Sequence, residues 1–192
     1  NDFGIKLFSI NRIDRETSGI LLFAKSGEIA SKFHKLFQLR NIYKEYIVYV
    51  TGEFPEYKAC RGEIVKDENS KIRKKKKFIF SENFTCSTEF YNLESKFLFS
   101  KLKVIPLTGK IHQIRATLFS IGFPVVGDKI YGEDENYFLD FIEGKPIPEF
   151  PIARQALHSH KIKFIHPVTK VVIEIISPEP EDMKNIFKQA EK

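Results

Sequence analysis

Two short polar clusters hold the residues best able to do chemistry. The first, N-R-I-D-R-E-T-S-G over residues 11–19, sets one carboxylate, Asp14, between Arg12 and Arg15, just before an apolar stretch. Neighbouring positive charge favours the ionised carboxylate, which can serve as nucleophile or general base. From spacing alone, an Asx turn feeding a strand is the simpler reading. The second cluster, T-G-K-I-H-Q-I-R over residues 108–115, offers donors without a carboxylate. A helix beginning there would present free N–H groups to an anion beside Lys110 and His112, with Arg115 one turn in and able to pair with a carboxylate elsewhere. A solvated basic helix start accounts for the pattern equally well. Six cations also crowd the seven positions 71–77, among them Lys74, Lys75 and Lys76. For a charge run alone, a solvated loop is simpler than a nucleic-acid contact. His158, His160 and His166 do not read as a metal site, because only the first two share a strand face and no Cys or carboxylate completes a set.

The elements that must position these clusters follow from periodicity. Residues 19–24 read as a short buried strand. Ser26 then offers an N-cap to a helix carrying Ile29, Phe33, Leu36 and Phe37. Residues 46–50 form a strand that stops at Thr51-Gly52, and the chain then enters a polar region containing the basic run. Residues 84–92 and 97–105 form a hairpin joined by 93–96. A helix from Lys110 sets Ile111, Ile114, Leu118 and Ile121 on one stripe, with Gly122 at C′. A loop over 124–131 and an acidic, proline-bearing insertion over 133–149 lead to strands at 156–164 and 171–176, joined at His166-Pro167. Pro178 and Pro180 precede a final short helix with Met183, Ile186, Phe187 and Ala190 on one face. The fold class expected is α+β, with a mixed, mostly antiparallel central sheet and flanking helices and loops.

Composition narrows the setting. The 192 residues carry 31 Lys and Arg against 25 Asp and Glu, a formal charge of +6 that favours polyanionic partners. With 42 % hydrophobic residues the chain can build a core and is no disordered tail. Its longest apolar run, residues 20–24, is far below the roughly 20 residues that cross a bilayer, so no membrane is expected. Cys60 and Cys86 stand far apart, which fits a reducing, cytoplasmic compartment better than a disulfide framework. The 14 % aromatic content is mostly Phe in strand patterns, read more simply as core than as base-stacking platforms.

Taken together, the segments resemble the RluA family of RNA pseudouridine synthases. R-I-D-R-E-T-S-G at 12–19 resembles the family's R-L-D-x-x-T-S-G, and K-E-Y at 44–46 resembles its K-x-Y. T-G-K-I-H-Q-I-R resembles T-G-R-T-H-Q-I-R, and G-F-P-V-V-G-D-K-I-Y-G at 122–132 resembles the block that follows it. A-L-H-S-H-K-I-K-F-I-H-P at 156–167 resembles L-H-A-x-x-L-x-F-x-H-P. The blocks stand in the family's order along nearly the whole chain. Three positions depart from the pattern: Asn11 stands for His, Lys110 for Arg and Ile111 for Thr, and Lys110 lacks the bidentate phosphate contact of Arg.

The resemblance implies a single catalytic domain over residues 1–192 with the pseudouridine synthase fold and no S4-like RNA-binding domain. Because the family's upstream K-P-x-G block is absent and the chain opens on Asn1, a truncated or fragmentary N-terminus is expected. Asp14 is implied as the catalytic carboxylate, Tyr46 as the aromatic against the target uracil, and Arg115 as the partner orienting Asp14. Tyr46 would serve as a base at C5 only with a lowered pKa or a relay through water or Asp14. Arg12 is implied as a wedge filling the space of a flipped base. Lys44, Lys74, Lys75, Lys76, Lys110 and His112 would contact RNA, and Ile114 and Leu157 would pack the uracil pocket. The partner implied is ribosomal or transfer RNA; no cofactor, metal or oligomer is implied. Two rivals stand beside this reading: a noncatalytic RNA-binding domain of the same fold, and a nucleoside hydrolase using the same carboxylate. The hydrolase would need a poised water and usually a second acid or a metal, which neither cluster offers.

Overall fold

A computed structural model describes residues 4, 6–132 and 134–189 of the chain, so Glu133 and Ala190 of the sequence reading lie outside the described residues. In chain order the elements are β1 (Phe8–Ser9), β2 (Ser18–Gly19), β3 (Phe23–Ala24), α1 (Gly27–Gln38), β4 (Ile42–Thr51), β5 (Tyr57–Lys66), β6 (Lys76–Phe80), β7 (Cys86–Lys96), β8 (Phe99–Pro106), α2 (Gln113–Ser120), α3 (Asn136–Ile142), β9 (Leu157–Ile165), β10 (Val172–Ile176), α4 (Glu181–Lys184) and α5 (Ile186–Gln189). Among the described residues, eight strands form one sheet in the order β10-β9-β4-β8-β7-β5-β6, with β2 pairing β9 off this path. Every pairing is antiparallel except the short parallel contact of β2 with β9. The class is α+β, as its sequence pattern suggests. No described helix is long and apolar enough to cross a membrane.

Side chains alternate across a strand, so β4 sorts its residues onto two faces. Opposite Glu45 and Tyr46 stand Lys161 and Ser159, and the skipped His160 is a bulge in β9 that keeps β4 regular. Ile42, Lys44, Tyr46, Val48 and Val50 therefore share one face. At its Ile42 end, Ile162 and Phe164 of β9 pack with Ala30 and Phe33 of α1, the Phe33 ring meeting Phe164 edge-on at 5.1 Å. At the other end, Val48 and Val50 join a larger cluster with Ile114 and Leu118 of α2. Lys44 and Tyr46 lie along the strand between these two ends, Tyr46 packing against the larger cluster. On the opposite face, Tyr49 packs edge-on against Phe187 of α5 at 5.2 Å.

Several elements differ from the sequence reading. The strand expected over 19–24 divides in two: β2 pairs with β9 and β3 with β1, and the chain turns between them. The polar region after Thr51 holds the hairpin of β5 and β6, whose connection and second strand contain the basic run. In the β7–β8 hairpin, residues 93–96 remain in β7 and the turn lies at Phe97, whose φ is +56°. The second helix begins at Gln113, not Lys110, which leaves Ile111 outside it and 62 % exposed. The cap at Ser26 forms as expected, its hydroxyl accepting from the Ile29 N–H at 3.3 Å.

Candidate active site

The segment bearing Asp14 is irregular, so other parts of the chain must hold it. At its end stands Gly19 with φ +104°, against β9 so closely that a Cβ there would lie 2.2 Å from the Ser159 carbonyl oxygen; only glycine fits. The Thr17 N–H closes a turn on the Asp14 carbonyl at 3.0 Å, and the buried Gln155 Nε2 donates to Thr17 Oγ1 at 2.6 Å. Lys129 Nζ donates to both carboxylate oxygens of Glu16, at 3.0 and 3.1 Å, and to the Ala153 carbonyl at 2.8 Å. Residues remote in sequence thus fasten the turn that follows Asp14.

The cation that meets Asp14 is 101 positions away. Arg115 Nη1 donates to Asp14 Oδ2 at 2.8 Å, while Nε and Nη2 make a bidentate pair with Asp128 at 2.6 and 2.8 Å. Arg12 and Arg15, the neighbours expected to hold Asp14 ionised, are exposed and make no ion pair among the described residues. Adjacent positions on an irregular segment need not point the same way, whereas the buried guanidinium has two carboxylates to satisfy. Burial alone would lower the Arg115 pKa, but the charge and hydrogen bonds of Asp128, then of Asp14, outweigh it and raise the value. Asp128 is itself fixed by the Ile130 and Tyr131 N–H groups, donating to Oδ1 at 3.0 and 3.1 Å. Arg115 is a rigid fork, with one tine on the half-buried Asp14. Asp14 Oδ1 makes no hydrogen bond among the described residues.

Helix α2 is seated by its first residue. The buried Gln113 donates to the Ser87 carbonyl and Thr88 Oγ1 at 3.0 and 2.9 Å, and its Oε1 accepts from Thr108 Oγ1 and the Lys110 N–H at 2.8 and 2.9 Å. On β4, burial pushes the Tyr46 phenol up; Ser159 lowers it in part and the Asp14 charge raises it. This is opposite to the direction a tyrosine base would need, so Tyr46 is a neutral phenol at physiological pH. Lys44 Nζ donates to the Thr108 carbonyl at 3.0 Å, has no carboxylate in ion-pair range among the described residues, and is lowered by burial to about 8.

The remaining expected contacts divide by exposure. Arg12, Lys74 and Lys110 are exposed, Lys76 and His112 half-buried. Lys75 is not available at the surface: it is 6 % exposed, its Nζ lies 3.7 Å from Glu135 and 4.8 Å from the Phe119 ring centre, so within the run it is an inward anchor. Ile114 and Leu157 are core residues of the larger cluster, Leu157 opposite Val48 in the sheet. Sequence reasoning assigned no role to Asp128, Tyr131, Gln155 or Lys129. Asp128 precedes by two and three residues the N–H groups it accepts from, a legible local turn, but nothing local names Arg115 as its partner. Among the described residues, no three His, Cys, Asp or Glu groups gather closely enough to hold a metal ion.

Comparison with known proteins agrees with this sheet and with the motif blocks. The family described as RNA pseudouridylate synthase matches residues 2–120, and the chain belongs to that family. Among its relatives, the "Ribosomal large subunit pseudouridine synthase C" of Buchnera aphidicola from Schizaphis graminum is 33 % identical over 178 residues, covering 92 % of this chain and 54 % of that protein. The protein of the same name from Pasteurella multocida is 29 % identical over 180 residues, covering 93 % and 52 %. The chain therefore spans about half the length of these curated relatives. The solved structure of human RNA pseudouridylate synthase domain containing 1 shares the fold with a TM-score of 0.72 at 24 % identity, covering 91 % of this chain and 70 % of that one.

Proposed function

We propose that this chain is the catalytic part of an RNA pseudouridine synthase, converting uridine in RNA to pseudouridine with Asp14 as the catalytic carboxylate. The observation that carries the reading is the Asp14–Arg115–Asp128 arrangement: one Asp14 oxygen is fixed by a buried guanidinium, and the other, which makes no hydrogen bond among the described residues, is left to meet a substrate. The reaction breaks the C1′–N1 bond, forms C1′–C5, removes the proton from C5 and places one on N1. It balances as an isomerisation with no net oxidation, and a single nucleophilic or basic carboxylate suffices to start it. Attack on C1′ and removal of a sugar proton would use the same group.

Tyr46 contributes a neutral ring beside the uracil, and its raised pKa leaves the C5 proton to Asp14 or to water. A uridine in a stem must leave the stack to reach Asp14, at a cost of about a few kcal/mol, and the exposed Arg12 is suited to stack in the gap. Lys74, Lys110 and Lys44 supply phosphate contacts that position the RNA without reading its sequence. Lys44 suits this role because its buried charge has no carboxylate in ion-pair range among the described residues. The names of the bacterial relatives make ribosomal large-subunit RNA the first substrate to test, with transfer RNA second.

The test is tritium release from C5-labelled uridine in RNA by the parent chain and by Asp14→Asn. Release by the parent alone supports the assignment. No release by the parent, with salt-sensitive RNA binding intact, would replace it with a noncatalytic RNA-binding domain, and free uracil among the products would make it a hydrolase.

A further inference from the structure

Tyr131 is completely buried at 0 % exposure, yet its hydroxyl joins two parts of the molecule. Its oxygen accepts the Lys76 N–H at 2.9 Å, at the start of β6, and lies 2.9 Å from His112 Nδ1. Its ring lies 5.1 Å from the Arg115 guanidinium carbon and meets the His112 ring edge-on at 5.6 Å. The phenolic O–H has one proton to donate, and among the described residues His112 Nδ1 is the acceptor it reaches. Were Nδ1 protonated instead, the tyrosine oxygen would accept twice and its own proton would be stranded in the interior, a costly arrangement.

We infer that Tyr131 is a positioning residue that fixes His112 as the Nε2–H tautomer, so that His112 meets the RNA as a neutral hydrogen-bond donor and not as a cation. This rests on the RNA-modifying reading above and sharpens it, because His112 in the basic cluster would otherwise count as another phosphate counter-ion. The charges around the ring agree. Burial and then the Arg115 cation lower the His112 pKa, with Lys76 acting the same way, while Asp14 and Asp128 oppose them without reversing the direction. The backbone adds to the fixation: His112 has φ +55°, a left-handed conformation at the residue preceding α2, which with the Tyr131 bond sets the direction of the ring. Since the same hydroxyl holds the Lys76 N–H, the basic hairpin and the ring that contacts substrate share one anchor.

The tautomer can be read directly from the ring nitrogens of ¹⁵N-labelled protein, without RNA and without activity. The expected spectrum has a protonated, pyrrole-type Nε2 and an unprotonated Nδ1 for His112 near pH 7; a protonated Nδ1 or a doubly protonated ring would overturn the inference. Tyr131→Phe keeps the ring and removes the hydroxyl, and its His112 signals should move toward a mixture of tautomers; unchanged signals would again overturn it. A third measurement does not depend on how that variant folds. Because the donor is neutral, His112→Gln should leave the slope of log affinity against log salt unchanged, while Lys110→Gln lowers it by about 0.9. Loss of the donor in His112→Leu should slow single-turnover conversion by about tenfold relative to His112→Gln. A slope that falls equally in His112→Gln and Lys110→Gln would return His112 to the role of counter-ion. Inactivity of the parent would defeat the RNA-modifying reading while leaving the tautomer measurement to stand or fall by itself.

Discussion

Replacing Lys44 by Met should stabilise the free protein at neutral pH and destabilise it at high pH. Lys44 is held at about 8 by burial against an ordinary value of 10.5, a gap corresponding to about 3 kcal/mol. Below pH 8 both folded and unfolded chains carry the charge, and the parent bears the whole cost of burying it. Between about 8 and 10.5 the folded chain has released the proton while the unfolded chain still binds it, so parent stability rises with pH. Above 10.5 the penalty is gone. Met removes it at every pH but leaves the Thr108 carbonyl without the Lys44 hydrogen bond, a loss of about 1 kcal/mol. The variant should therefore be more stable by about 2 kcal/mol at pH 7 and less stable by about 1 kcal/mol at pH 10.5. Urea unfolding followed by far-ultraviolet circular dichroism at both pH values gives the difference, and other titrating groups cancel between the two proteins. A difference independent of pH would refute the reasoning, because it would mean that Lys44 does not titrate differently on folding. On the proposed function a nearby phosphate restores the charge, so RNA affinity of the parent should decline above pH 8 and that of Lys44→Met should not.

Asp128→Asn should cost about 3 kcal/mol in urea unfolding, because it leaves the buried Arg115 with Asp14 as its one carboxylate partner among the described residues. The loosened guanidinium should also slow single-turnover isomerisation by about 10²-fold while changing RNA affinity by less than twofold. Within the basic run, Lys74→Ala should lower the salt dependence of RNA binding by about 0.9 without changing the unfolding midpoint. Lys75→Ala, which removes the contacts to Glu135 and Phe119, should lower the midpoint and leave the salt dependence unchanged.

The local elements with short-range signals were legible in the sequence. Ser26 followed by apolar residues at helical spacing produces α1, and two β-rich runs produce the β7–β8 hairpin, because a cap and a strand alternation act over a few residues. The motif blocks likewise pointed to the family to which the chain belongs. The β5–β6 hairpin was hidden because its connection is long and charged and lacks a tight-turn signature. Residues 19–24 misled because a continuous apolar run looks the same whether it pairs once or, as here, with two different partners. Residue types and spacing determined that Asp14, His112 and Arg115 were available for chemistry, and the family resemblance added Lys44 and Tyr46. Tertiary structure decided which charges meet. It brought Arg115 and Asp128 to Asp14 in place of the adjacent arginines, turned Lys75 inward, and buried the Tyr46 phenol in surroundings that raise its pKa. Sequence fixes each group's chemistry, but distance and desolvation set the electrostatics, and both arise when remote segments pack against one another.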